Sequence, residues 1–278
     1  MHTWQTSDPE RLREIATTIR KSVVTSLAEA KSGHLGGSLG LADIFTTLYF
    51  SVLIHDPINH KWAGRDRVIL SIGHVAPILY ATLAHSGYFA VEELRTLRKI
   101  GSRLQGHPGR EHGLPGIELS AGSLGQGLSV AVGMAISAKM DHEMHRIYCV
   151  LGDGELQEGS IWEAAMSASH HNLNNLIAIV DRNGLQIDGR TEDVMQLEPL
   201  AGKWHSFGWQ VIECDGNSIE QLLSAFGNTG TTQNKPTVII AETIMGKGIR
   251  SIEGDYRWHG RVPTTEQAAE FIEQLAKQ

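Results

Sequence analysis

The stretch Ile147-Tyr-Cys-Val-Leu151, followed directly by Gly152-Asp153-Gly154, decides how the chain is read. Such a run is too apolar for a half-exposed strand and suits one buried on both faces of a parallel sheet. Similar short runs stand at Val68-Ile-Leu70, Ile177-Ala-Ile-Val180, Val211-Ile212 and Val238-Ile-Ile-Ala241. Between them lie helical patterns at residues 77–85, 125–140, 160–171 and 218–226. The chain opens with another helix. Ser7-Asp8-Pro9-Glu10 offers a capping residue and a proline near the first turn, and Leu12, Ile15, Ile19, Val23 and Leu27 recur at three or four steps until Ser32-Gly33. Further helices are expected over residues 41–52 and 266–275. The alternation predicts an α/β fold, a doubly wound, mainly parallel sheet with helices on both faces. No repeat, low-complexity tract or Pro/Ser-rich linker interrupts it, so residues 1–278 read as a single domain.

Ligands of such sheets bind beyond the carboxyl ends of the strands. Four predicted strand ends carry polar or glycine-rich elbows: Ser71-Ile-Gly-His74, Gly152-Asp-Gly154, Asp181-Arg-Asn-Gly184 and Glu242-Thr-Ile-Met-Gly-Lys-Gly248. The chain has 30 glycines in 278 residues, about 11% against a usual ~7%. That excess is concentrated where a ligand is expected.

Composition excludes several other classes. The net charge is −7, and no basic stripe stands out, which argues against nucleic acid as a partner. The longest apolar runs, such as residues 176–180, fall far below the ~18 residues of a membrane span, and the N-terminus has no basic-then-apolar signal pattern. Cys149 and Cys214 both sit in apolar stretches, as in a reduced cytoplasmic protein, and two cysteines are too few for a Cys-rich zinc site.

Asn183 follows Asp153 by thirty residues, just past the next predicted strand. A carboxylate and an amide oxygen at adjacent strand ends form a hard, oxygen-rich half-shell of the kind Mg²⁺ or Ca²⁺ prefers. Mg²⁺ usually keeps phosphate oxygens in its remaining positions. Gly154 removes a side chain where a phosphate would reach backbone N–H groups near a helix start. A lone Gly-Asp-Gly is also an ordinary turn; the preceding strand and the later Asn together point to a metal-bridged diphosphate.

These residues resemble the thiamine-diphosphate fingerprint, and the chain from about residue 15 to residue 263 is similar to the N-terminal, diphosphate-binding half of transketolase. The motifs that carry the resemblance are Lys31-Ser-Gly-His-Leu-Gly-Gly-Ser38, Arg65-Asp-Arg-Val-Ile-Leu-Ser-Ile-Gly-His74, Gly101-Ser-Arg-Leu-Gln-Gly-His-Pro108, Gly122-Ser-Leu-Gly-Gln-Gly127, Gly152-Asp-Gly-Glu-Leu-Gln-Glu-Gly159, the run from Asp181 to Gly189, and Trp258-His-Gly260. The resemblance implies thiamine diphosphate and Mg²⁺ (with Ca²⁺ or Mn²⁺ as substitutes). Asp153, Asn183 and the backbone carbonyl of Leu185 would bind the ion. Gly152, Gly154 and His74 would lie by the diphosphate, and Gly122-Ser123-Leu124 against the cofactor's pyrimidine and central region. His107 would contact the donor's terminal hydroxyl, and His34 and His259 the carbonyl or alkoxide oxygen. Glu158 and Glu163 would join an acidic network across a dimer interface, although acids in a first helical turn are common. Arg182 departs from the family, where many relatives have Asp or Asn. Lys247 is either a phosphate contact or a solvated loop lysine. Of the remaining histidines, His170 and His171 read as structural and the others, His2 among them, carry no assigned role.

The implied activity moves a two-carbon ketol unit from a ketose (phosphate) donor to an aldose (phosphate) acceptor, with pentose-pathway sugars as the default. A full transketolase is more than twice this long. Its pyrimidine-binding domain, with the glutamate that engages the aminopyrimidine and the residues that grip the sugar phosphate, lies outside the half resembled here. A separate C-terminal transketolase subunit in a two-plus-two (α2β2) assembly is therefore the expected partner. Three alternatives stay open. One is another thiamine enzyme subunit, deoxyxylulose-phosphate-synthase-like or ketoacid-dehydrogenase-α-like. The second is a non-catalytic cofactor-binding regulatory subunit, and the third a piece of a longer enzyme.

Overall fold

The computed structural model describes residues 5–277. His2 lies outside them. Five parallel strands form the central sheet: β1 (Arg67–Leu70), β2 (Ile147–Gly152), β3 (Leu176–Arg182), β6 (Gln210–Asp215) and β7 (Thr237–Glu242), in the order β1-β2-β3-β7-β6. A two-stranded antiparallel hairpin, β4 (Leu185–Gln186) and β5 (Gly189–Arg190), projects beyond β3. The helices are α1 (Pro9–Ala30), α2 (Leu35–Gly40), α3 (Ala42–Thr47), α4 (Ala76–His85), α5 (Gly127–Met140), α6 (Gly159–His170), α7 (Thr191–Val194), α8 (Leu200–Ser206), α9 (Ile219–Gly227) and α10 (Thr265–Leu275).

Alternation along the strands builds two cores. Val68, Leu70, Tyr148, Val150, Ile177, Ile179 and Ile239 face one way, against α1, α3, α4, α9 and α10. Ile69, Ile147, Cys149, Leu151, Ala178, Val180, Val238 and Ile240 face the other way, against α5, α6 and α8. The expected doubly wound arrangement is thus present, with both faces covered. Among the described residues no helix is long and apolar enough to cross a membrane.

Three details differ from the sequence reading. Val211 and Ile212 lie on an edge strand, only half-buried, because β6 has a single neighbour, β7. The helical stretch expected from residue 41 already begins at Leu35, breaks at Leu41 and ends in a wide turn at Leu48–Val52. Its glycines serve close packing: a Cβ on Gly36 would lie 2.6 Å from Met245 Cγ, and one on Gly40 would lie 3.0 Å from the Ile244 carbonyl oxygen. The hairpin and the short helices α7 and α8 fall in a segment with no apolar periodicity to announce them.

Helix α1 matches its signals. The Asp8 carboxylate accepts the Glu10 N–H, Pro9 occupies the first turn, and Lys31 closes the helix in the left-handed region with its N–H on the Leu27 carbonyl.

Candidate active site

The carboxyl ends of β1, β2, β3 and β7 converge on a cleft of about 370 Å³. Parallel pairing sets Gly152 opposite Asp181, so the residues that follow β2 and β3 emerge side by side. Asp153 is 1% exposed. Its Oδ1 accepts the Gly154 N–H at 2.8 Å, and its Oδ2 accepts the Gly184 N–H at 2.6 Å and Arg182 Nη1 at 3.1 Å. Burial pushes the carboxyl up to about 6, against the pull of Gly184 N–H, Arg182 and Gly154 N–H. Asn183 donates through Nδ2 to Asp181 Oδ2 at 3.0 Å, and its Oδ1 accepts the Leu185 N–H at 2.9 Å. Asp181 also accepts from the Thr243 hydroxyl on the β7 side. Burial pushes Asp181 up to about 7, opposed mainly by that hydroxyl.

Glu155 ties a second loop to the site. This buried carboxylate accepts Ser71 Oγ at 2.5 Å, Gly125 N–H at 2.8 Å and Gly152 N–H at 3.2 Å, and Ser71 Oγ accepts the Gly127 N–H at 3.0 Å. Burial raises its pKa, opposed by these donors. Gly125 needs its left-handed φ of 80° to enter α5, and a Cβ there would lie 2.5 Å from Ser160 Oγ.

Opposite stand the imidazoles. Ring centroids of His34 and His74 are 4.9 Å apart, of His34 and His259 5.5 Å, and of His74 and His259 5.0 Å. Burial, with help from neighbouring histidines, lowers His34 to about 4 and His74 to about 3. Burial also lowers His259, while burial and the nearby Arg98 charge lower His107.

The cleft brings together His34, His74, His107, Gly122, Leu124, Gly152, Asp153, Gly154, Glu158, Asn183, Leu185 and His259. Ser123 is exposed and does not line it; Glu163 and Lys247 also lie outside the lining. Sequence reasoning passed over Glu155, Asp181, Gln157, Gln186, Ile187 and Met245, which do line it. Only Asp181 carried a signal, as the polar end of an apolar run. A larger surface hollow of about 520 Å³, lined by Gln5, Thr6, Arg11, Glu14, Ile15, Thr18, Phe50 and His85, includes no residue from the strand ends.

The donor chemistry can be tested against a diphosphate and an ion. His34 Nδ1 and His259 Nδ1 are buried with no hydrogen-bond partner, as expected of groups that await a ligand. Among the described residues no three His, Cys, Asp or Glu side chains cluster as a metal cage. Asp153 and Asn183 instead offer hard oxygens, which suit a cation completed by phosphate oxygens. The residues fit both groups.

The family model for the transketolase thiamine diphosphate binding domain matches residues 12–276. The chain belongs to that family. A relative from Phocaeicola vulgatus, a subunit of apulose-4-phosphate transketolase, is 44% identical over 93% of this chain and 91% of its own length. The 6-deoxy-6-sulfo-D-fructose transketolase subunit SqwG of a Clostridium species is 43% identical over 96% of this chain and 97% of its own. The crystal structure of Campylobacter jejuni transketolase superposes with a TM-score of 0.91 at 35% identity, covering 97% of this chain but 43% of that one. The chain therefore spans most of two transketolase subunits and less than half of a single-chain transketolase.

Proposed function

We propose that this chain is the thiamine diphosphate- and Mg²⁺-binding subunit of a two-chain transketolase. With a C-terminal transketolase subunit, in an α2β2 assembly, it moves a two-carbon ketol unit from a ketose (phosphate) to an aldose (phosphate). The observation that carries this reading is one cleft that joins an Asp153–Asn183 oxygen pair to four imidazoles. The family match supports the cofactor, and the relatives covered nearly end to end are named as subunits. Residues 1–278 act as one diphosphate-binding domain in this reading, since a single sheet carries both cores. The two unpaired thiols favour the cytoplasm.

Asp153, Asn183 and the Leu185 carbonyl would hold the ion. Gly152, Gly154 and His74 would flank the diphosphate, and Gly122, Leu124 and Glu158 the rest of the cofactor. Thiamine diphosphate supplies the electron sink that lets the sugar C–C bond break. With their pKa values lowered, His34 and His74 are neutral at pH 7. A neutral imidazole offers one N–H donor and one acceptor, so it can orient a hydroxyl and hold or return its proton. His107 takes the donor's terminal hydroxyl, and His34 and His259 take the carbonyl or alkoxide oxygen.

The test is reconstitution. The chain alone is expected to give negligible ketol transfer, and the partner subunit to restore it. In the restored complex His107→Ala lowers kcat/KM for the ketose donor by roughly 10-fold, as expected for loss of one substrate hydrogen bond. Robust turnover by the isolated chain, or calorimetric uptake of thiamine diphosphate with no divalent-ion requirement, would refute the reading.

A further inference from the structure

Arg182 precedes one proposed ion ligand, Asn183, and contacts another, Asp153, and the fold surrounds it with four acceptors. Nη1 donates to Asp153 Oδ2 at 3.1 Å and to Thr191 Oγ1 at 2.7 Å; Nη2 donates to Glu192 Oε1 at 3.0 Å and to Glu198 Oε1 at 2.9 Å. The side chain is 13% exposed and that of Asp153 is 2%. The acceptors come from the end of β2, from α7 and from the residues after α7.

The same segment is fastened at other points. Thr191 N–H donates to the Gly184 carbonyl at 3.0 Å, and Leu185 pairs with Arg190 across the hairpin. Residues 184–191 therefore form a loop closed at its base, and that loop carries the Leu185 carbonyl. Leu197 N–H donates to Glu192 Oε1 at 3.1 Å, and Gln157 Nε2 to the Met195 carbonyl at 2.8 Å. Gly184 N–H at the base of the loop also donates to Asp153 Oδ2 at 2.6 Å, and Arg182 is the side chain that joins Asp153 to Thr191, Glu192 and Glu198.

A guanidinium against an ion-binding carboxylate has two opposed effects. Its charge repels a divalent cation, whereas its planar fork fixes the carboxylate and whatever else it grips. The charge count decides between them. One cation faces Asp153, Glu192 and Glu198, so the network keeps an excess of negative charge with Arg182 in place. Its repulsion is already neutralised by the two glutamates, and the fixing effect remains. Without Arg182 the three carboxylates repel one another. Glu192 and Glu198 then turn to water and draw the base of the loop with them.

We propose that Arg182 is a positioning residue for the ion site: it fixes the Asp153 carboxylate and docks residues 184–198, so that the Leu185 carbonyl stands with Asp153 and Asn183. This inference rests on the proposed function and adds a residue to it.

The test uses the assembled two-subunit protein, with Mg²⁺ and thiamine diphosphate as probes. Partners that orient an ion ligand typically change metal affinity about 10- to 100-fold. Arg182→Met is expected to raise the Mg²⁺ concentration for half-maximal thiamine diphosphate uptake, followed by calorimetry, roughly 10-fold. Excess Mg²⁺ restores the full stoichiometry. Hydrogen exchange of the backbone amides of residues 184–198 is faster in this variant without the ion and slows again when Mg²⁺ and the cofactor are added. Thr191→Val keeps every charge and nearly the same shape, and shifts the half-saturating Mg²⁺ in the same direction by about 2- to 5-fold, less than the full orienting effect. An unchanged Mg²⁺ requirement in both variants, or tighter Mg²⁺ binding in Arg182→Met, would overturn the proposal. If the unaltered complex takes up the cofactor without a divalent ion, it is the proposed function that fails.

Discussion

Three imidazoles whose ring centroids lie 4.9 to 5.5 Å apart cannot all be charged at neutral pH. Burial is the main cause of their lowered pKa values, and mutual repulsion adds to it for His34 and His74. The linkage has a definite sign. In the unfolded chain these rings protonate near 6.5, whereas in the folded chain His74 does so at about 3 and His34 at about 4. Their contribution to stability is complete above pH 6.5 and is lost as pH falls toward those folded values. We expect the thermal stability of His74→Gln to fall less than that of the unaltered protein between pH 7 and pH 5. The difference is up to about 1.4 kcal/mol per pH unit below 6.5. Parallel melting curves would count against the neutral imidazole. Asp181 acts through Asn183. Asp181→Ala leaves the Thr243 hydroxyl and Asn183 Nδ2 without their acceptor, and costs about 1–3 kcal/mol in denaturant unfolding, the usual cost of orphaned buried donors.

Four of the five sheet strands were legible because an apolar run of three to five residues ending in a polar elbow fits little besides a strand buried in a parallel sheet; the fifth, at the edge, showed only the pair Val211-Ile212. The segment after β3 was not. Its order comes from contacts distant in sequence, such as Arg182 to Glu198 and Gln157 to Met195, rather than from periodicity. The glycine-rich stretch at α2 misled for a related reason, since its glycines answer to the Met245 loop and not to a turn. Among the site residues, Asp153, Asn183 and the histidines beside glycine could be picked out. Glu155 could not, because its partners Ser71, Gly125 and Gly152 come from three separate connections. Ser71→Ala tests that junction. It removes a donor to Glu155 and the acceptor of the Gly127 N–H, and is expected to destabilise the protein by about 1–3 kcal/mol. Faster amide exchange confined to residues 122–127 would accompany the loss. Unchanged exchange there would mean that the loop is held by other contacts.

Across the whole molecule, one sheet shared by two cores makes cooperative opening the expected behaviour, since neither layer of helices can leave without exposing the strands. The two cysteines report on this from different depths. Cys149 is fully buried on β2 beneath α5 and α6, and burial raises its thiol well above the usual range. Cys214 lies half-buried on the edge strand β6, with its thiol pushed up to about 11, chiefly by burial. An edge strand can fray without unfolding the rest, whereas a strand flanked by β1 and β3 cannot. With a small thiol reagent in native buffer, Cys149 is expected to react only through global unfolding. Its labelling free energy should then equal the unfolding free energy from denaturant titration, while that of Cys214 is lower by several kcal/mol, within the roughly 5–15 kcal/mol available to a domain. Equal labelling free energies at the two sites would show that β6 opens only together with the rest of the sheet, in the same cooperative unit as the strand that leads to Asp153, and would overturn the fraying of the edge.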